Sequence, residues 1–554
     1  MTTDLTVVSA SRYLVSFLER CGVDRAYCVP GESYLPVLDA FLDSGIDLIT
    51  CYHESAAGFM AVADGRFTGR PGVCLVSRGP GATNAAIALH TAEQDGVPMV
   101  LFVGQVPRGH LRRGAFQEID YAQMFGGICK WVAEVSDPAR LPEVLARAMR
   151  TATEPTTGPV VVVLPEDMLA ESISAPIPRE TGRTMSAPAL EGVRQTADLL
   201  AKAKRPLILA GGALAGPLDG SDDADRGRDA LRRVAEALDV PVVVTFRRHD
   251  LFPNRHRLFA GEVGLFNPAE QLEAFAAADV VLAIGTRLGD LQTHGYTFPH
   301  SPWSDAVLIH VHPDAHVIGV NHHPTLGLAC PPAAFLEALV SHLPSAPLDR
   351  RDWTERLATI REPLGRWTAR TADDGVVFGN VIAALRDHMP PDAIVATDAG
   401  SSAASIYRYF PFEPPQRLLA TVTGCMGFGI PGAVAFALRA GTRRVVALLG
   451  DGGFLMSSHE LAHAVVRRLP IIFILANNFS LGSIRRDQER LFPGRVSATA
   501  LVPPDFELFA RAHNCDFLRV EQEEQVGPAL QQAFAHLHGP ILLEVRTSLS
   551  AILP

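Results

Sequence analysis

VVALLGDGGFLMSSHELAHAVVRRLPIIFILANNFS, residues 445–480, decides the fold. It opens with the apolar run Val445–Leu449, which is followed by the turn Gly450-Asp451-Gly452-Gly453. A helical stretch, for example His459–Arg468, leads to a second apolar run, Ile471–Ala476, and the pair Asn477-Asn478. Apolar on both faces, the two runs read as covered parallel strands joined by a crossover helix. Asp451 and Asn478, 27 residues apart, then both stand at the carboxyl ends of parallel strands, where open α/β sheets bind ligands. A carboxylate and an amide oxygen there suit a hard cation such as Mg²⁺, which takes one or two protein ligands plus phosphate oxygens. Gly450, Gly452 and Gly453 let backbone N–H groups approach an anion in front of a helix N-terminus.

The same rhythm runs through the chain. Val100–Val103, Val160–Leu164, Leu207–Ala210, Val280–Ile284 and Val307–Val311 are further apolar runs separated by helical stretches. The polar, proline-rich Ser172–Ala189 and the charged Pro344–Asp374 interrupt it and read as linkers or surface crossings. The expected architecture is α/β, with three doubly wound domains of parallel sheet spanning 1–175, 188–345 and 365–554. At 554 residues and 47% hydrophobic, the chain can bury large cores and is not a disordered protein. Its 49 basic and 60 acidic residues give a formal net charge of −11, against a coat for nucleic acid or an anionic membrane. The eight cysteines form no Cys-x-x-Cys pair, the start MTTDLTVVSA lacks a basic signal region, and no apolar run is long enough for a membrane helix. These features predict a cytoplasmic protein with reduced thiols.

Gly450-Asp451-Gly452 followed by Asn477-Asn478 resembles the signature of thiamine-diphosphate enzymes. The resemblance implies that Asp451, Asn478 and the carbonyl of Ser480 bind Mg²⁺. Cys51-Tyr52-His53-Glu54-Ser55-Ala56-Ala57 resembles the segment whose Glu contacts the cofactor pyrimidine, which implies a catalytic Glu54 shielded from water. Thr423–Gly432 mimics a dinucleotide GxGxxG by spacing but resembles the family's G-x-M-G-F-G-x-P segment. By that resemblance the Gly424 carbonyl receives the cofactor amino group, and Met426 props the cofactor into a bent conformation. Asp398–Ser402 resembles the turn touching the diphosphate, through Gly400, Ser401 and Ser402. Gly79–Asn84 resembles a loop beside the pyrimidine, with Gly81 and Asn84 as contacts. Gly104-Gln105-Val106-Pro107 and Ala115-Phe116-Gln117-Glu118 resemble acetolactate synthases, in which such Phe and Gln residues line the acceptor channel.

The chain is therefore similar to the acetolactate-synthase-like group. The resemblance implies thiamine-diphosphate- and Mg²⁺-dependent decarboxylation of a 2-oxo acid, with pyruvate expected, followed by carboligation to a second carbonyl. A non-ligating 2-oxo acid decarboxylase or a 2-hydroxyacyl-CoA-type lyase is the alternative, and a non-catalytic binding protein the reading from another class. Partners are small molecules, neither nucleic acid nor membrane, and a second copy of the chain: a homodimer at minimum, with a homotetramer expected. FAD is left open, because Gly285–Asp290 only loosely matches a flavin segment. Arg486-Asp487 stands where acetolactate synthases carry a specificity Trp, so acceptor choice is not carried over. His310, His312, His316, His322 and His323 are not expected to hold a metal. Arg247, Arg248 and His249 are expected in a solvated turn. The chain ends at Pro554 soon after Ile541–Val545, so closure over the site is expected from the loop after Asn478.

Overall fold

The computed structural model describes residues 5–176, 186–219, 222–299, 306–343 and 348–552. A first compact unit consists of Met1–Thr184 with Val434–Arg439 and Ser457–Glu460. Its sheet has six parallel strands, in spatial order Asp47–Thr50, Arg25–Cys28, Gly72–Val76, Met99–Gln105, Pro159–Pro165 and Trp131–Glu134. The central strands Gly72–Val76, Met99–Gln105 and Pro159–Pro165 are buried along their whole length, as their unbroken apolar runs require.

Helix Glu54–Thr68 carries the first candidate catalytic residue and is buried on nearly every side. Small residues permit this. Gly58 meets Ala88 of helix Pro80–Asp95, and the start of strand Gly72–Val76 presses on the helix backbone. A Cβ at Gly72 would lie 1.8 Å from the Ala61 carbonyl oxygen. At the far end of the helix, Arg439 Nε donates to Asp64 Oδ1 at 2.6 Å, and Phe67 packs edge-on against Phe436.

The second unit holds two more six-stranded parallel sheets. One runs Phe259–Val263, Val242–Thr245, Pro206–Ala210, Val280–Ile284, Val307–His312 and Leu326–Ala329. The other runs Arg417–Leu419, Ile394–Thr397, Val445–Gly450, Ile471–Asn477, Ile541–Arg546 and Asp516–Val520. Counted within each sheet, the first and last share the order 2-1-3-4-6-5, while the middle sheet is 3-2-1-4-5-6. The first and third segments are thus built on one topology. In the last sheet the order reverses between Ile394–Thr397 and Val445–Gly450, which opens a crevice at their carboxyl ends.

Both expected linkers contain regular structure. Ser172–Pro176 is a strand paired antiparallel with Leu5–Ser9. Arg351–Leu364 is a helix whose Trp353 and Leu357 enter the core of the middle sheet, with Trp353 Nε1 donating to the Pro206 carbonyl at 2.8 Å. Residues 177–185 and 344–347 of those stretches lie outside the described residues. Among the described residues no helix is long and apolar enough to cross a membrane.

Replacing Gly72 by Ala forces a methyl group against a backbone carbonyl, and overpacking of this kind costs about 1–3 kcal/mol. Gly72→Ala should therefore lower the thermal melting midpoint. An unchanged midpoint would show that the strand shifts freely away from helix Glu54–Thr68.

Candidate active site

In the second unit, every residue singled out between 400 and 480 lines one cavity of about 270 Å³. Gly400, Ser401 and Ser402 form one wall, Gly424 and Met426 another, and Gly450–Gly453 with Asn478 and Ser480 the floor. Gly400 has φ +112° and turns the chain from strand Ile394–Thr397 into helix Ser401–Tyr409. Helix Asp451–Ser457 starts on the neighbouring strand. Two helix N-termini therefore face one crevice and give it a positive field.

Asp451 and Asn478 converge through a shared donor. The Ser480 N–H lies 3.3 Å from Asp451 Oδ2 and 3.1 Å from Asn478 Oδ1. Gly452 N–H donates to Asp451 Oδ1 at 2.8 Å. Burial pushes the Asp451 carboxyl above its ordinary range, partly offset by these backbone donors. A nearby cation would favour the ionised form. The Ser480 carbonyl accepts from Gly482 N–H at 2.8 Å and keeps a second lone pair. The candidate ligand atoms, Asp451 Oδ1 and Oδ2, Asn478 Oδ1 and the Ser480 carbonyl, are all oxygens, the set Mg²⁺ prefers. The floor is closely packed: a Cβ at Gly453 would lie 2.7 Å from Asp398 Oδ2, and one at Gly452 would come within 2.8 Å of the end of the Leu481 side chain. The residues present fit both a diphosphate and its cation.

Two buried carboxylates hold this floor: Asp398, at the head of the turn read from the sequence, and Glu544, which was not singled out there. Glu544 Oε1 accepts from Asn477 Nδ2 at 2.7 Å, which fixes the first Asn of the pair so that the second faces Asp451. Asp398 accepts from the N–H groups of Ala399 at 2.7 Å and Gly427 at 3.0 Å, tying the diphosphate turn to the Gly424–Phe428 loop. Burial raises the Asp398 carboxyl to about 6, against the pull of backbone donors and Arg247.

In the first unit the structure brings together Glu54, Gly81 and Asn84. Asn84 Nδ2 donates to Glu54 Oε2 at 2.9 Å, and a Cβ at Gly81 would lie 3.4 Å from Glu54 Oε1. Glu54 opens its helix and is half-buried, and Asn84 is exposed. Glu460, also missed in the sequence, is fully buried and accepts from the N–H groups of Tyr52 and His53, fixing the turn before Glu54. Gln105 is buried, with its amide donating to the Ile119 carbonyl and accepting from Val106 N–H. Phe116 is 76% exposed. Gln117 adopts φ +63° and packs its backbone against Gly79.

The expectation of a solvated turn at Arg247, Arg248 and His249 is overturned, because all three are buried. Arg247 Nη1 donates to the Thr421 carbonyl and Arg248 Nη1 to the Ala420 carbonyl, while His249 stacks on Tyr407. Their flanks, Phe246 before and Leu251-Phe252 after, were the sequence signal for burial. Among the histidines, His310 Nε2 bonds the Thr286 carbonyl and His312 Nδ1 accepts from Asp314 N–H.

Residues 8–124, 193–339 and 398–545 match the N-terminal TPP binding, central and C-terminal TPP binding domains of thiamine pyrophosphate enzymes. The chain belongs to the thiamine pyrophosphate enzyme family. It is 31% identical to an acetolactate synthase of Mycobacterium bovis, over 98% of this chain and 88% of that relative. It is 29% identical to the acetolactate synthase isozyme 2 large subunit of Escherichia coli, over 97% of this chain and 95% of the relative. A sulfoacetaldehyde acetyltransferase of Rhodobacter capsulatus is 29% identical over 94% of this chain and 91% of its own length. The chain is thus a thiamine-pyrophosphate-dependent enzyme of the carboligase/decarboxylase type, similar to acetolactate synthases.

Asp398 makes stability depend on pH. Its folded-state pKa lies above the ordinary value, so the folded chain holds the proton more tightly than the unfolded chain. The stability this contributes is present below about pH 4 and lost as pH rises through about 6. Asp398→Asn should flatten the decline in melting midpoint between pH 4.5 and 7, and an identical slope would contradict the assignment.

Proposed function

We propose that the chain is a thiamine-diphosphate- and Mg²⁺-dependent carboligase that decarboxylates a 2-oxo acid, with pyruvate the expected donor, and joins the remaining fragment to a second carbonyl. The convergence of Asp451, Asn478 and Ser480 at the switch point of the last sheet carries this reading. Asp451, Asn478 and the Ser480 carbonyl would hold Mg²⁺. Gly400, Ser401, Ser402, Gly450, Gly452 and Gly453 would bind the diphosphate through backbone N–H and hydroxyl groups. Gly424 and Met426 would support the aminopyrimidine, with Gly81 and Asn84 beside it.

When bound, the cofactor supplies an electron sink for the charge released as CO₂ departs. Glu54 would hold a proton at one carboxyl oxygen against the pyrimidine nitrogen, while Asn84 Nδ2 steadies the other oxygen. Gln105, Phe116 and Gln117 would border the acceptor channel. The names of relatives that synthesise acetolactate or transfer acetyl to sulfoacetaldehyde support carboligation. We assign the active assembly as a homodimer at minimum, with a homotetramer expected, in which Glu54 of one subunit and Asp451 of its partner build one site.

With pyruvate and Mg²⁺, purified protein should form acetolactate, and acetaldehyde as the sole product refutes ligation. Asp451→Ala should weaken Mg²⁺-dependent thiamine diphosphate binding by about tenfold or more, read by calorimetry. Glu54→Gln should slow exchange of the cofactor C2 proton by about a hundredfold or more; exchange at the wild-type rate removes Glu54 from its role. Light scattering alongside activity checks the assembly, and an active monomer overturns it.

A further inference from the structure

A second cavity, of about 630 Å³, lies in the second unit beside the cofactor cradle and shares Ala399, Gly400, Ser401, Gly424 and Ser483 with it. Its volume is within the range of about 300–1,000 Å³ usual for small-molecule sites. Aromatic side chains including Phe246, Phe259 and Tyr407 form much of the wall. Seven arginines line it against three carboxylates, Glu262, Glu362 and Asp487, so this cavity is positive in a chain of net charge −11.

Arg247 stands where the two cavities meet. A side chain added at Gly424 would begin 3.7 Å from Arg247 Nη2. Arg247 is 6% exposed, and its backbone holds φ +59°, a left-handed conformation that a non-glycine residue adopts only at a cost. One guanidinium nitrogen donates to the Thr421 carbonyl, and the group lies over the rings of Phe246 and Tyr407. Nε is buried without a hydrogen-bond partner. No carboxylate among the described residues forms an ion pair with it. Arg228, equally buried, has Asp250 at 2.9 Å. Asp398 is near enough to feel the Arg247 charge but is engaged by the N–H groups of Ala399 and Gly427 rather than paired with the guanidinium, and a buried cation without a directly paired carboxylate gains from a ligand that brings one.

We propose that Arg247 is a specificity-determining residue that anchors an acidic group the substrate keeps through the reaction. The inference rests on reading the adjoining cradle as the thiamine diphosphate site. The carboxylate lost as CO₂ is not the fitting partner. Its charge disperses as the bond breaks, so an ion pair on it holds the ground state more tightly than the transition state. A group that survives into product gains from Arg247 throughout. Two sources share this chemistry: the carboxylate of an acidic acceptor, and a distal carboxylate on the donor.

The test uses full-length protein with thiamine diphosphate and Mg²⁺, and glutarate, an unreactive dicarboxylate, as the probe. Calorimetry should show glutarate binding to the wild type and binding weakened about tenfold or more in Arg247→Gln. Arg247→Lys should lose less, and the uncharged glutaramide should not bind. Equal affinity in wild type and Arg247→Gln, or no glutarate binding by wild type, overturns the proposal. If Arg247→Gln fails to fold, a wild-type crystal grown with glutarate decides: glutarate on the Arg247 guanidinium agrees, and glutarate elsewhere or absent refutes. Cofactor affinity measured on the same samples separates the two readings. Wild type that binds glutarate but not thiamine diphosphate removes the cofactor assignment, and the reverse removes the anchor. Steady-state kinetics of Arg247→Gln then identifies the source. A raised KM for an acidic acceptor, with CO₂ release from the donor unchanged, assigns the group to the acceptor. A raised KM for 2-oxoglutarate but not pyruvate assigns it to the donor. A change in neither contradicts an anchoring role.

Discussion

Parallel strands covered on both faces leave free backbone polar groups at their ends and along the sheet edges, and the candidate site lies at the carboxyl ends. Each strand interior satisfies its own hydrogen bonds and excludes water. The loops beyond the carboxyl ends must then supply every group able to meet a ligand. At the reversal between Ile394–Thr397 and Val445–Gly450 two such loops diverge and leave room between them. Asp451, the glycines around it and Ser401 face that room because strand order, not their own preference, points them there. Asp398 and Glu544 keep the loops from relaxing. Each carboxylate is buried and engaged by backbone or side-chain N–H groups on neighbouring segments.

Much of this was legible in the sequence, for identifiable physical reasons. A strand buried on both faces must be apolar without a break, so Val445–Leu449 and Ile471–Ala476 announce themselves. Asp451 and Asn478 follow such runs immediately, and their positions needed no knowledge of distant residues. The common topology of the first and third sheets was not legible. Strand order is set by pairings such as Ile472 with Ile541, far apart in sequence and chemically interchangeable with many others.

The failures have a common cause. Ser172–Pro176 looks like linker, but its strand partner is Leu5–Ser9 at the other end of the segment. Arg351–Leu364 is charged on average, yet Trp353 and Leu357 fall one turn apart on one face and dock against the middle sheet. Three consecutive polar residues at 247–249 suggest solvent, but the groups that bury them, Tyr407 and the carbonyls of Ala420 and Thr421, come from the third segment. Glu544 sits in the apolar strand Ile541–Arg546 and reads as outward-facing until Asn477 and Arg519 are placed beside it. In every case local composition was sound and a long-range partner reversed its meaning.

The pairing of Leu5–Ser9 with Ser172–Pro176 has one more consequence. The polypeptide enters and leaves the first sheet through the same antiparallel clasp, so the two ends of this segment are neighbours. A module closed in this way can be transplanted, duplicated or permuted as a cassette without threading the chain through the rest of the molecule. The third segment repeats the strand order of the first, the pattern that copying such a cassette would produce.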